Sequence, residues 1–214
     1  MGSRPFFMPR PPQLHALPGM GADHRMFPAP WDTLPGFIAH DWPRHQGEAS
    51  LPELADRVVD EFGVQPGDGI VGASLGGMVG CEIARRVPLR HLILIGSAEH
   101  PTEVRAPLRM VHPIAAITPF RPLVRLAARI PARLTEGFGA SEPSFIRAMC
   151  SAVFTWRGCP VQMPTPLRIH GRSDWIIRPP PNADLLLSGG HFISITHARD
   201  CVEFIRPLLS GQER

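Results

Sequence analysis

A five-residue turn between a strand pattern and a helix pattern constrains this chain more than any other feature. Gly72-Ala73-Ser74-Leu75-Gly76 follows the apolar pair Ile70-Val71 and opens a helical pattern that continues to Arg86. A turn this tight requires small residues two before and two after its centre, and it lifts the central side chain clear of the sheet. Ser74 is therefore a candidate nucleophile at the positive end of a helix dipole. The alternative interpretation is a glycine-rich turn with an incidental serine.

Short apolar runs alternate with helical patterns along much of the chain. Strands are predicted at 13–17, 37–40, 69–73, 92–95, 167–170 and 184–187, and helices from Asp23 toward Leu34 and at 51–62, 75–87 and 197–209. This alternation predicts an α/β fold with a mostly parallel sheet of about six strands and right-handed crossovers. Ligands of such sheets bind at the carboxyl ends of the strands.

One long segment interrupts this alternation. Residues 99–166 contain no strand pattern, but hold amphipathic pieces at 104–111, 122–129 and 143–154 that are separated by prolines. We expect a small helical lid here, inserted after the fourth strand. The core then comprises 13–98 and 167–214, and the Pro- and Arg-rich residues 1–12 form a flexible arm.

The composition excludes several functions. All 22 basic residues are Arg, so no Lys can form a Schiff base, and the net charge of +3 is spread without a basic run, so nucleic acid is not an expected partner. The chain has no apolar stretch long enough for membrane insertion. Its four Cys show no metal-ligand spacing, so no metal is expected. Reduced thiols, together with an N-terminus that lacks an apolar signal segment, predict a cytoplasmic protein.

A serine nucleophile needs a histidine base, which a carboxylate orients. Asp174 is the best candidate for the acid because it follows a predicted strand in the sequence His-Gly-Arg-Ser-Asp. Glu99 and Glu103, which follow the fourth strand, remain alternatives.

His191 is the best candidate for the base because it lies in Ser-Gly-Gly-His-Phe, between the last strand and the last helix. His197 is the alternative, but it lies at the start of that helix. His15 and His170 lie within strands, and we interpret both as core histidines. His24 follows a glycine loop and is a possible pocket residue.

Ester cleavage also needs hydrogen-bond donors for a developing oxyanion. The backbone N–H of Leu75 is one candidate, and the N–H of Met20 in the loop after the first strand is the other. Gly19 and Gly21 flank Met20 and are possible pocket residues, as is Trp175 beside the proposed acid. A phosphate-binding interpretation of this loop is weak because the chain lacks the Walker and dinucleotide patterns.

With these motifs the chain resembles the α/β-hydrolase superfamily, in particular its small single-domain esterase-like members. The resemblance rests on the segments at 17–23, 72–76, 170–174 and 189–192 and on the order Ser, Asp, His. It implies that Ser74, Asp174 and His191 form a catalytic triad with Met20 and Leu75 as oxyanion donors. Two opening strands of the family are missing, and Pro179-Pro180-Pro181 replaces a helix, which predicts a trimmed sheet.

The resemblance implies a serine hydrolase that cleaves small-molecule carboxylic esters or thioesters through an acyl-enzyme, without a cofactor. Alternatives are an acyltransferase with an alcohol acceptor, a carbon–carbon hydrolase or hydroxynitrile lyase, and a non-catalytic ligand-binding protein on the same scaffold. The oligomeric state stays open.

Overall fold

The structure, a computed structural model, describes residues 10–105, 141–159 and 165–210 and contains a six-stranded parallel sheet. The strands are β1 Leu14–Leu17, β2 Phe37–Ala39, β3 Gly69–Ala73, β4 His91–Ile95, β5 Leu167–Gly171 and β6 Leu185–Leu187, in the order β2-β1-β3-β4-β5-β6. The helices are α1 Leu51–Phe62, α2 Leu75–Ala84, α3 Pro143–Thr155, α4 Ile193–Thr196 and α5 Ala198–Leu209. The predicted fold class is confirmed.

Successive residues of the central strands face opposite sides of the sheet and fill two separate apolar layers. Ile70 belongs to the same buried apolar cluster as Leu54 of α1 and Phe145 of α3, whereas Val71 belongs to a second cluster with Trp31 and Ile205 of α5. Both faces are therefore covered, as a parallel sheet requires. Among the described residues, no helix is long and apolar enough to cross a membrane.

The strand register brings four carboxyl ends to one edge of the sheet. Leu17 is paired with Gly72, Ala73 with Ile95, and Ile95 with Ile169. The strand order reverses at β1, because β2 lies on one side of β1 whereas β3 and the later strands lie on the other. The loops that follow β1 and β3 therefore meet at the position where open α/β sheets bind ligands.

The structure differs from the sequence-based prediction at some element boundaries. Instead of a helix from Asp23 toward Leu34, it contains two 3₁₀ turns, His24–Met26 and Trp31–Thr33, because Pro28 and Pro30 interrupt the segment. Helix α2 ends at Ala84, three residues before the predicted end, and Pro88 follows shortly. The six strands are thus present as predicted with ends shifted by at most one residue, whereas the helix predicted after Asp23 is replaced by short turns.

The predicted insertion is attached to the core near its start. Val104 forms an antiparallel bridge with Ile177, so this residue is extended and not part of the helix predicted at 104–111. Further along, the N–H of Cys159 donates over 2.6 Å to the carbonyl oxygen of Glu99, the first residue of the predicted insertion. Of the three amphipathic pieces, the one at 143–154 is helical in α3. The piece at 122–129 and most of 104–111 lie outside the described residues.

The arm predicted at 1–12 is described only for its last residues. The Arg10 guanidinium donates to both carboxylate oxygens of Asp68, over 3.0 and 2.5 Å. Asp68 also accepts the backbone N–H groups of Gln13 and Gln65. This end of the arm is thus held against the core by a buried carboxylate.

Candidate active site

The turn at Ser74 has the geometry that its sequence predicts. Ser74 has φ +52° and ψ −116°, a conformation that L-residues rarely adopt. A Cβ atom on Gly72 would lie 2.3 Å from the Gly76 carbonyl carbon, and one on Gly76 would lie 2.2 Å from Leu17 O. Glycine is required at both positions because the backbones of β1, β3 and α2 meet here.

Ser74, His191 and Asp174 form one hydrogen-bonded chain. His191 Nε2 lies 3.0 Å from Ser74 Oγ, and His191 Nδ1 lies 2.8 Å from Asp174 Oδ2. A carboxylate only accepts hydrogen bonds, so we assign the imidazole proton to Nδ1, which leaves Nε2 free to accept the serine proton. Both the acid and the base are buried, with 2% and 7% of their surface exposed. The imidazole is thus positioned to activate the hydroxyl.

The Asp174 carboxylate is held in its ionised form by four donors. Oδ1 accepts the backbone N–H groups of Ile176 at 2.8 Å and Ile177 at 3.0 Å. Oδ2 faces His191 and also His170, whose Nε2 lies 3.1 Å away. Burial alone would raise the pKa of Asp174, but attraction to His191 and the hydrogen bonds from His170, His191 and Ile177 hold it well below its usual range.

Glu99 and Glu103, the two alternative acids, both form ion pairs with Arg168. Glu99 Oε2 lies 3.2 Å from Arg168 Nη1, and Glu103 forms a short ion pair with Arg168 Nη2. Arg168 lies in β5 and is 3% exposed, so the two glutamates balance the charge of a buried guanidinium. The alternative base, His197, precedes α5, and its Nδ1 lies 2.8 Å from Thr196 Oγ1.

The loop after β1 lies directly beside Ser74. A Cβ atom on Gly19 would be 3.5 Å from Ser74 Cβ. Leu75 is the first residue of α2, so its N–H lies outside the hydrogen-bonding pattern of the helix. The described part of the chain offers no acceptor to the N–H of Met20. Both proposed oxyanion donors therefore belong to segments that adjoin the serine.

The predicted pocket residues have different environments. Gly21 has φ +74° and helps to turn the loop after β1. His24 is more than half exposed, and its Nδ1 lies 2.7 Å from Asp41 on the surface. Trp175, beside Asp174, is 49% exposed. A cleft of about 310 Å³ lies beside the loop after β1 and is lined in part by Ala22, Trp42 and Phe145.

Sequence reasoning missed two polar residues that support the site. His170, predicted to be a core histidine, is indeed buried, and its Nε2 lies 3.2 Å from Ile177 O and 3.1 Å from Asp174 Oδ2. Its place four residues before the proposed acid was the available signal. Ser97 donates from Oγ to Ser74 O over 2.6 Å and so supports the strained turn. Its position just after β4, at the same sheet edge, was the corresponding signal.

One group of side chains in the described residues has donor atoms close enough to hold a metal ion. Asp23, His24 and Asp41 each place a ligand atom within 4.8 Å of the others. These atoms already have protein partners, because Arg25 binds the Asp23 carboxylate and His24 binds Asp41. Exposed acidic groups of this kind are common without a metal.

The comparison with known protein families identifies the class of this chain. Residues 16–209 match the family described as the alpha/beta hydrolase family. The chain therefore belongs to this family, and it is a hydrolase-type enzyme. A search among curated proteins gives no match.

Several solved structures share the fold. An esterase from Thermogutta terrifontis is 17% identical with a TM-score of 0.74, over 95% of this chain and 91% of that one. The enol-lactonase from Burkholderia xenovorans LB400 is 17% identical with a TM-score of 0.67, over 94% and 92%. The type II thioesterase of the borrelidin biosynthetic cluster is 20% identical with a TM-score of 0.68, over 94% of each chain. At these identities the likeness concerns the fold alone.

Proposed function

We propose that this protein is a serine hydrolase that cleaves carboxylic esters or thioesters of small molecules through an acyl-enzyme. The observation that carries this proposal is the chain of contacts from Ser74 Oγ to His191 Nε2, 3.0 Å, and from His191 Nδ1 to Asp174 Oδ2, 2.8 Å. A hydroxyl, an imidazole and an ionised carboxylate in this order are the parts that nucleophilic acyl transfer requires.

The proposed reaction has two halves. Ser74 Oγ attacks the acyl carbon while His191 Nε2 takes the hydroxyl proton, and the Met20 and Leu75 N–H groups donate to the oxyanion that forms. The imidazolium then gives its proton to the leaving alcohol or thiol, and the acyl group stays on Ser74. In the second half, His191 Nε2 takes a proton from a water molecule as its oxygen attacks the acyl carbon, and the imidazolium then returns the proton to Ser74 Oγ as the acyl–serine bond breaks and the acid leaves.

The role of Asp174 follows from its surroundings. Its carboxylate keeps the imidazole proton on Nδ1 and stabilises the imidazolium that appears during each half-reaction. The low pKa of Asp174 supports this role, because the carboxylate stays charged throughout the neutral range.

The substrate class is supported by chemistry that related structures share. The three solved structures named above are an esterase, a lactonase and a thioesterase. All three names refer to acyl bonds to oxygen or sulfur, whose cleavage passes through an oxyanion. We therefore favour an acyl–oxygen or acyl–sulfur bond in the substrate of this chain as well.

The proposed cellular location is the cytoplasm. All four cysteines are unpaired thiols, and Cys81 and Cys201 are buried. Burial raises the pKa of the Cys201 thiol to about 12, so this group stays protonated and unreactive. Such thiols support a reducing compartment.

The direct test uses an alkyl fluorophosphonate together with p-nitrophenyl esters and acyl thioesters of increasing chain length. Wild type should be labelled at Ser74, as peptide mass analysis would show, and should release p-nitrophenol. Ser74→Ala should abolish both, whereas the matched control Ser144→Ala, at an exposed position of α3, should change neither. A wild type that is neither labelled nor active on the panel would contradict the proposal.

A further inference from the structure

The carbonyl of the peptide between Gly19 and Met20 is held by hydrogen bonds from residues other than Ser74, His191 and Asp174. Its carbonyl, Gly19 O, accepts the indole N–H of Trp42 over 2.9 Å and the backbone N–H of Ala22 over 3.1 Å. A trans peptide is a rigid plane in which the C=O and the N–H point to opposite sides. Any group that fixes Gly19 O therefore also fixes the direction of the Met20 N–H.

We propose that Trp42 is a positioning residue of the active site, because its indole N–H orients the Gly19–Met20 peptide for oxyanion binding. This inference rests on the proposed function, in which the Met20 N–H is an oxyanion donor. An oxyanion hole is effective only when its donors are already oriented before charge develops. A side chain that holds the peptide from behind supplies such an orientation without occupying the site.

The other hydrogen bonds of this loop do not tie the Gly19–Met20 peptide firmly to a neighbouring element. The Gly19 N–H donates to the Met26 sulfur over 3.1 Å, and a thioether is a weak acceptor. The bond from Ala22 closes a turn of the loop on itself and does not attach it to another element. Trp42 lies 23 residues further along the chain, just after β2, and attaches the peptide to the rest of the fold.

Trp42 is itself held in place by packing. It is half-buried, packs against the same apolar cluster as Met20, and lies against the Phe145 ring of α3, with ring centroids 5.6 Å apart. Phe145 is 2% exposed, so this contact is part of the core. The indole has only two side-chain torsions, and packing on its face limits both. Helix α3 therefore supports the Trp42 indole, and it also contacts Met20 directly, because Cys150 Sγ lies 3.5 Å from Met20 Sδ.

The test compares Trp42→Phe with wild type and with a matched control. Phenylalanine keeps the aromatic packing but removes the N–H donor. The control Trp156→Phe also removes an indole donor, the one that binds Glu82 Oε1 over 2.7 Å near the opposite end of α2. Two readouts are needed: ¹⁵N relaxation dispersion of the Met20 amide in the free protein, and kcat and KM for p-nitrophenyl esters.

In Trp42→Phe we expect exchange broadening of the Met20 amide and a kcat that is about 10- to 100-fold lower, with KM changed less than about threefold. Trp156→Phe should show neither effect. An unperturbed Met20 amide, or an unchanged kcat in active enzyme, would overturn the inference.

The two proposals fail in distinguishable ways. If wild type hydrolyses none of the esters, the proposed function fails, and the amide readout alone still decides whether Trp42 orients this peptide. If wild type is active but Trp42→Phe matches it in either readout, the inference about Trp42 fails and the proposed function stands.

Discussion

Replacing Asp174 with asparagine places a carboxamide where the carboxylate lies, and the structure determines how this amide is oriented. In Asp174→Asn, the amide oxygen must occupy the position of Oδ1, because the N–H groups of Ile176 and Ile177 both donate there. The amide NH₂ then faces His191 Nδ1, which must give up its proton in order to accept. The proton moves to Nε2, and the imidazole can no longer accept the Ser74 proton. We expect kcat to fall about 10⁴-fold, equivalent to about 5 kcal/mol of activation free energy.

The matched variant is Glu103→Gln, which also neutralises one acid. Its amide oxygen still accepts from Arg168, and Glu99 still balances the guanidinium charge. We expect kcat within about threefold of wild type and a free energy of unfolding lowered by about 1 kcal/mol. The assay is steady-state hydrolysis of a p-nitrophenyl ester at neutral pH, with urea unfolding alongside. A large loss of kcat in Glu103→Gln and little in Asp174→Asn would refute the assignment of the acid.

Three further predictions follow from named contacts. Gly76→Ala forces a methyl group against Leu17 O, so we expect a stability loss of at least about 3 kcal/mol and a Tm lower by roughly 6–12 °C in a thermal melt; an unchanged Tm would count against this close approach. His170→Leu removes a donor from Asp174 and should lower kcat/KM roughly tenfold, with partial recovery in His170→Gln; equal rates for both variants would exclude a hydrogen-bonding role. Burial and the neighbouring histidine lower the pKa of His40 to about 4. The unfolded chain therefore binds this proton more tightly, and the unfolding free energy should fall from pH 6.5 to 4, less so in His40→Asn. Parallel urea-derived stability curves for the two proteins would contradict this.

The fold could be predicted from the sequence because its signals are local. Apolar runs of four or five residues, such as Leu92–Ile95, alternate with helical patterns, and the glycines at 72 and 76 indicate a strand that turns sharply into a helix. These local signals were enough to predict six strands and their parallel arrangement, which the structure confirms. The segment from Asp23 to Leu34 was predicted less well because the prolines within it allow only short turns.

The supporting contacts of the site could not be predicted in the same way. The pairing of Trp42 with Gly19 depends on how the segment after β2 crosses the loop after β1, and a sequence pattern contains no information on that crossing. The position of His170 in a strand was predicted, but its contact with Asp174 depends on the turn after Gly171 folding back under the strand. Such contacts require three-dimensional geometry.

The attachment of the insertion to the core bears on how this part of the chain could be exchanged for another. Val104 and Arg105 pair with the loop after Asp174, and Cys159 donates back to Glu99, where the predicted insertion begins. Doubling the length of a closed loop costs only about 0.6 kcal/mol of chain entropy. A replacement of the segment between these points must nevertheless keep an aromatic contact like that of Phe145 in α3, which is buried in the core and lies against Trp42. The pairing of Arg105 with Ile176 is another part that a replacement must keep, because the same short loop also holds the carboxylate that orients the base.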